Sequence, residues 1–524
     1  MVNGIKDVCI IGGGTAGWLC AAYLKKHTNT NVKLIESDKV PTIGVGESVP
    51  PHFVEFLKRI DIDLFDFMRE TGAVLKYSNY FKDWSDIGKD YHFTFTQPGT
   101  INSFKNSATQ TIQDSFDLTD FNSSTNTCDY FTEFCNQGVY APEDFLSKSS
   151  EAYHYCLHNK STFFKQTKDL WKNVLPNLST MALHIDANKT GPYLSNKIKI
   201  EEHCNNYITD IVHKDNAIQQ VITDDGKIHT ADLFIDCSGF SRLLIDKVGQ
   251  WKNTELAPCN KAWVAPYKYK NPTDQCKNHT QSIARTNGWT FQVTLHDRAG
   301  CGYVFCDKFI TKEQAREEFL SYMPNEDFLI PEPRYLEWTS GYYKEALVNN
   351  VCAVGLSSGF IEPLEANGLF FVTSAVVNLA KYVNKEISKQ DFNDVYEFAS
   401  HDNYEFIHTH YNLTNREDTD FWRWQKQQGV EHNTKEIVYS RYKNSKNTYR
   451  GALEGYTEFP EYMWYKLAIY FGLDINKMSN EINKALMNIA FLHFETVHAR
   501  GEYGASIAKD YRSWLEDINK EKGQ

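Results

Sequence analysis

The stretch DVCIIGGGTAGWLCAAYLKK, residues 7–26, decides the fold. Val8 to Ile11 form a short unbroken apolar run of the kind that fills a buried strand. Gly12, Gly13 and Gly14 turn the chain, and an apolar helix continues from about Ala16. Gly12 allows a tight turn, Gly14 lets the backbone approach a pyrophosphate, and Gly17 lets helix pack closely on strand. The start of the helix, with Thr15 and Ala16, then faces the phosphates. The next strand, NVKLIES at 31–37, carries Glu36 at the spacing of about 20 residues from which a carboxylate holds ribose hydroxyls. These features predict a dinucleotide site.

Two later segments extend the same unit. ADLFIDCSGF (231–240) reads as a strand ending in a small-residue turn. VCAVGLSSGFIEPLEANGLFFVTSAVVNLA (351–380) reads as a strand, a Gly/Ser loop and a long helix. No second G-x-G-x-x-G follows, so a separate NADPH domain is not expected.

The 524 residues suffice for several subdomains around one or two large cores. A net charge of −12 argues against nucleic acid or an anionic membrane as partner. Twelve cysteines without any C-x-x-C predict reduced thiols, no metal site and a cytoplasmic protein. Neither a secretory signal nor a run of about 18 apolar residues is visible, so no membrane span is expected. The polar run from about 98 to 138 reads as exposed loops of a substrate region.

The layout resembles the FAD-dependent aromatic monooxygenase superfamily, whose nucleotide fold is interrupted by substrate-binding insertions. Hydroxylases of that superfamily usually carry Gly-Asp in the later flavin loop. Here GLSSGFIEPLE (355–365) instead resembles the flavin-dependent tryptophan halogenases. IGVGESVPP (43–51) resembles their flavin-side loop, and HYNLTNREDTDFWRW (410–424) their C-terminal segment. Gly288 to Thr294, GWTFQVT, stands where that family has G-W-x-W-x-I-P, with the second Trp, the Ile and the Pro replaced. AVLKYSNYFKDW (73–84) aligns Lys76 with the family's catalytic lysine and Trp84 with its Trp. A lysine among Val74, Leu75, Tyr77 and Tyr80 ordinarily lays its stem on the protein with the ammonium in water; the alignment reverses that reading and leaves it to Lys82.

The resemblance implies an α/β, Rossmann-like FAD-binding fold with an inserted substrate-binding region and a helical C-terminal part. On that basis residues 1–84, 200–250 and 350–390 form an interleaved FAD module, 85–199 and 251–349 the substrate region, and 391–524 a mainly helical end. FAD, supplied reduced by a separate NAD(P)H flavin reductase, would contact the Gly12–Gly17 loop, Glu36, Val45, Gly46, Glu47, Gly355 and Leu356. A halide would sit on backbone N–H groups at Ala366, Asn367 and Gly368. Hypohalous acid formed there would reach Lys76, with Glu365 as the second catalytic residue. The alternative for Glu365 is a charge at the start of the following helix. The organic substrate would be an electron-rich indole or phenol, with His92, Phe93 and Trp464 supplying aromatic surface. An aromatic hydroxylase and a non-catalytic flavin-binding protein are the competing readings.

Overall fold

The opening apolar run forms β1 (Asp7–Ile11), with Val8 to Ile11 all buried. The computed structural model describes residues 4–40, 46–96, 124–167, 170–173, 181–254, 258–323, 328–448 and 459–520. After the glycine turn come α1 (Thr15–His27) and β2 (Asn31–Glu36), and β2 pairs parallel to β1 with Val32 opposite Val8. On the other side of β1 lies Leu233–Asp236, also parallel, followed by Val351–Ala353. The full order is Glu202–Asn205, β2, β1, Leu233–Asp236, Val351–Ala353 and Leu347–Val348. Helix α1 packs against the helix Gly368–Val383 over this sheet. Coverage of this kind explains why the central strands read as unbroken apolar runs. Asp236, fully buried at its strand's end, accepts from the Ser238, Leu244 and Ile245 amides and so shapes the small-residue turn.

Two further sheets meet at one residue. β3 (Glu47–Val49) and β4 (Val74–Lys76) flank Ala182–Ile185 in a three-stranded sheet. β5 (Ser78–Lys82) and β6 (Asp90–Thr94) close one edge of a seven-stranded sheet, β5 running parallel to His279–Ala284. Only Tyr77 separates β4 from β5, so Lys76 ends one sheet just before Asn79 enters the other. β6 is an edge strand, and its exposed carbonyls need partners. Lys466, fully buried on the helix Glu461–Tyr470, donates to the Thr94 and Thr96 carbonyls at 2.8 and 3.1 Å. Burial pushes its ammonium down to about 7.

The C-terminal part is helical: Lys389–Asn412, Asp420–Glu431, Thr434–Thr448, Glu461–Tyr470 and Met487–Ile507 enclose an aromatic core with Trp84, Trp289, Trp422 and Trp464. One expectation changes. Of the run 98–138, residues 98–123 lie outside the described residues, and Ser124–Asn136 is a helix rather than a loop. Cys128, Phe131 and Phe134 recur at helical spacing and are buried, a pattern hidden by the polar residues between them. No helix among the described residues is long and apolar enough to cross a membrane.

Candidate functional site

The glycine loop leaves a gap shaped by what it cannot hold. Gly12 has φ +109°, and a Cβ there would lie 2.3 Å from the Cys237 carbonyl oxygen. A Cβ on Gly17 would lie 1.8 Å from the Gly12 carbonyl oxygen, so only glycine lets helix meet strand here. Gly14 is different: a Cβ would meet no atom of the described residues within 4 Å. Beside that open space the Thr15 hydroxyl is buried with no hydrogen-bond partner among the described residues, and no acidic side chain occupies the first turn of α1. An unsatisfied hydroxyl and a helix N-terminus facing a gap suit a pyrophosphate. The Glu36 carboxylate lies against Gly13 and is held by His203 at 2.6 Å. Gly355, at φ +75°, brings its loop against Ala16.

Gly355, Leu356, Asn367 and Gly368 share a cleft bordered also by Glu362 and Phe371. Gly46 is buried against Val293 and Leu295. Burial, aided by Asp186, pushes the neighbouring Glu47 carboxyl up to about 7. Val45 lies outside the described residues. The cradle, the Glu36 carboxylate and the adjoining cleft together fit a flavin dinucleotide.

Lys76 is only 1% exposed, whereas Lys82 is exposed. Its ammonium donates to Ser48 Oγ, to Asn79 Oδ1 at 2.9 Å and to Thr280 Oγ1 at 3.3 Å, and lies 5.0 Å above the Phe95 ring. A buried cation needs such a set of oxygens. Asn79 uses its other end on Glu365, Nδ2 donating to Oε2 at 2.6 Å. The second Glu365 oxygen lies 3.1 Å from His410 Nε2. His410 Nδ1 donates to the Phe406 carbonyl at 3.0 Å, which fixes the ring with Nε2 toward Glu365.

Glu365 and the following Ala366 both have positive φ, 62° and 60°. Such conformations cost on the order of 1–3 kcal/mol each and mark a turn that its surroundings enforce. The turn aims the Glu365 side chain back at Asn79 instead of along the next helix. Asn367 caps that helix, Gly368–Val383, and its side chain donates to Asn403 at 2.5 Å. The Asn367 side chain does not itself cap the first-turn amides, and a Cβ on Gly368 would meet nothing within 4 Å among the described residues. Open space at a helix N-terminus suits an anion.

Trp84 gathers the distant patches. Its ring contacts Trp289, His410, Tyr411 and Trp422, and its indole N–H donates to the Ser282 carbonyl at 3.0 Å. Arg416 pairs with Asp418 at 2.8 Å and ties this segment to the Asp83 carbonyl. Phe93 and Trp464 both pack on Phe406 next to His410. His92 does not join them. Alternation along β6 turns it to the opposite face, where it meets Ser78 at 2.9 Å and the His279 ring. Of the three residues expected to supply aromatic surface, the structure brings Phe93 and Trp464 together and sets His92 apart from them.

The tryptophan halogenase family model matches residues 7–482. The tryptophan 6-halogenase ThaL of Streptomyces albogriseolus is 30% identical over 467 residues, covering 86% of this chain and 83% of its own. The tryptophan 7-halogenase RebH of Lentzea aerocolonigenes is 27% identical over 443 residues, covering 82% and 80%. The chain belongs to the flavin-dependent tryptophan halogenase family. The tryptophan halogenase structure from Shewanella frigidimarina shares the fold of this halogenase, with a TM-score of 0.82 at 22% identity over 99% and 98% of the two chains.

Sequence reading of this halogenase missed Asn79, His410, Ser48, Thr280 and His184 as site members. The first three lie inside stretches already singled out, but their partners come from far along the chain. Asn79 and Glu365 are 286 positions apart, Lys76 and Thr280 204.

Proposed function

We propose that this halogenase binds FAD in the interleaved module 1–84, 200–250 and 350–390, receives it reduced from a separate NAD(P)H flavin reductase, and halogenates an electron-rich aromatic. Residues Gly12 to Gly17, Glu36, Glu47, Gly355 and Leu356 hold the cofactor. Bound and reduced, the flavin supplies oxidation of a halide by O2 to hypohalous acid. Backbone amides at Asn367 and Gly368 hold the halide. Lys76 receives the electrophile and presents it to the ring, and Glu365 takes the proton that the ring loses. An indole, tryptophan among them, is the favoured substrate class, since the relatives above carry tryptophan in their names. Phe93 and Trp464 supply the aromatic wall. The free thiols among the described residues support a reducing, cytoplasmic setting.

The observation that carries this reading is the buried Lys76–Asn79–Glu365 connection, which a solvated surface lysine does not make. Purified protein with reductase, NADH, FAD, O2 and bromide should brominate free tryptophan or simple indoles. Peroxide as the sole product across a broad panel of indoles and phenols would sink the reading, and oxygen insertion would replace it with hydroxylation.

A further inference from the structure

The hydroxyls behind Lys76 form a chain with one direction. His184 Nδ1 lies 2.9 Å from the Thr294 carbonyl oxygen, which only accepts, so Nδ1 carries the ring proton and Nε2 keeps its lone pair. Thr280 Oγ1, 2.8 Å from Nε2, is then the donor in that contact. With its own proton committed, Thr280 accepts from Lys76 Nζ at 3.3 Å and from the Ser48 hydroxyl at 3.0 Å. Ser48 in turn accepts from Lys76. Each hydrogen points from the ammonium toward one imidazole lone pair.

Strand register fixes this arrangement. Ser48 and Val74 both lie opposite His184, and Lys76, two residues past Val74, shares their face. Thr280 arrives from the neighbouring sheet, directly beside Asn79. Lys76, His184 and Thr280 are all buried.

We propose that His184, acting through Thr280, takes one proton from Lys76 and so makes its amine nucleophilic toward an electrophilic halogen. The proposal rests on the halogenase reading above. The ammonium gives a proton to Thr280 Oγ1 as Thr280 passes its hydroxyl proton to His184 Nε2, leaving an amine and an imidazolium. The amine lone pair forms an N–X bond with hypohalous acid. The O–X electrons leave on oxygen, which takes the surplus N–H proton and departs as water. When the halogen passes to the ring carbon, the N–X electrons stay on nitrogen and the imidazolium returns its proton there. The ring carbon's proton goes to Glu365, and that proton finally restores the ammonium.

Burial, and then the Lys76 charge, hold the His184 imidazole well below the ordinary range, so the ring is neutral at rest; the part due to the Lys76 charge is relieved once that proton moves. Moving the proton between the two leaves the net charge of the buried cluster unchanged, so desolvation opposes the step far less than it opposes adding a charge. The other titratable groups nearby are His279, itself pushed down by burial, and Glu365 beyond Asn79. Glu47 pairs with Ile185 and faces the other side of the sheet.

The test bypasses the flavin. Hypochlorous acid added to flavin-free protein should form a haloamine on Lys76, detected by peptide mass and reversed by thiol. His184→Gln and Thr280→Val should slow its formation at neutral pH by about 10²-fold, a typical loss for a positioned base. Their rates should climb back at alkaline pH, where solvent removes the proton, while Thr280→Ser restores most of the neutral-pH rate. Melting curves establish that each variant is folded. Equal rates and equal pH profiles for parent, His184→Gln and Thr280→Val would overturn the relay. So would the absence of any haloamine in a parent that halogenates indoles with the reductase system. A parent that forms the haloamine but halogenates no aromatic would overturn the functional reading instead.

Discussion

The glycine cradle takes its shape from backbone supplied by one stretch, residues 12–17. The Lys76 pocket takes its shape from side chains of separate stretches: Ser48, Asn79, His184, Thr280, Glu365 and His410. The first closes backbone on backbone by leaving atoms out at Gly12 and Gly17, and opens a space beside Gly14. The second holds a charge by bringing oxygens in. Binding and chemistry should therefore fail separately when each is damaged.

Lys76→Ala tests this separation with the largest expected effect: halogenated product falls below detection while FAD binding and O2 consumption persist. Lys76→Arg should fail as well, because a guanidinium is bulkier and stays protonated. Halogenation by Lys76→Ala at the parental rate and position would dissolve the contrast. Glu365→Gln keeps the Asn79 hydrogen bond but removes the carboxylate. It should lower turnover by about 10²–10⁴-fold, measured as product per enzyme with flavin oxidation followed alongside.

Damage on the other side should look different. Gly14→Ala adds its methyl only to open space among the described residues, at an extended backbone that alanine adopts readily, so the fold should stand. FAD affinity, read by fluorescence titration, should drop about 10–100-fold, equivalent to roughly 1.4–2.8 kcal/mol. Haloamine formation on Lys76 in the flavin-free variant should be unchanged. If it changes too, the two regions are coupled more closely than their construction indicates.

The smallest effect concerns a group near both regions. Burial lifts the Glu362 carboxyl from 4.5 to about 8, with the Tyr411 hydroxyl and Trp289 pulling it partly back. The folded protein keeps a proton that the unfolded chain releases, so stability falls as pH rises from about 4.5 to about 8. Glu362→Gln should remove that dependence. Its melting temperature should exceed the parent's near pH 9, by an amount reflecting up to a few kcal/mol, and match it near pH 4. Parallel pH profiles for the two proteins would show that the carboxyl is ionised in the fold.

The contrast also explains what the sequence disclosed. A backbone cradle needs particular residue types at fixed local spacing, so Gly12, Gly14, Gly17 and Glu36 are legible within about 25 residues. Lys76 is legible only through its resemblance to a known pattern, since its own neighbours, Leu75 and Tyr77, describe a buried strand. Its partners are set by sheet register, which no local stretch encodes. His92 and Phe93 show the same limit: adjacent in sequence, they face opposite sides of β6. Helix Ser124–Asn136 was obscured for a simpler reason, its apolar positions being diluted by Ser, Thr and Asn.

Ala366 carries a left-handed backbone with a methyl group, one position after Glu365. Glycine would relax that position by on the order of 1 kcal/mol, partly offset by the freedom it adds to the unfolded chain. A laboratory evolution campaign that rewards heat resistance alone has every reason to accept Ala366→Gly early. The same change unpins the turn aiming Glu365 at Asn79, so the hardier lineage would drift toward slower turnover, and selection on both traits together would keep alanine.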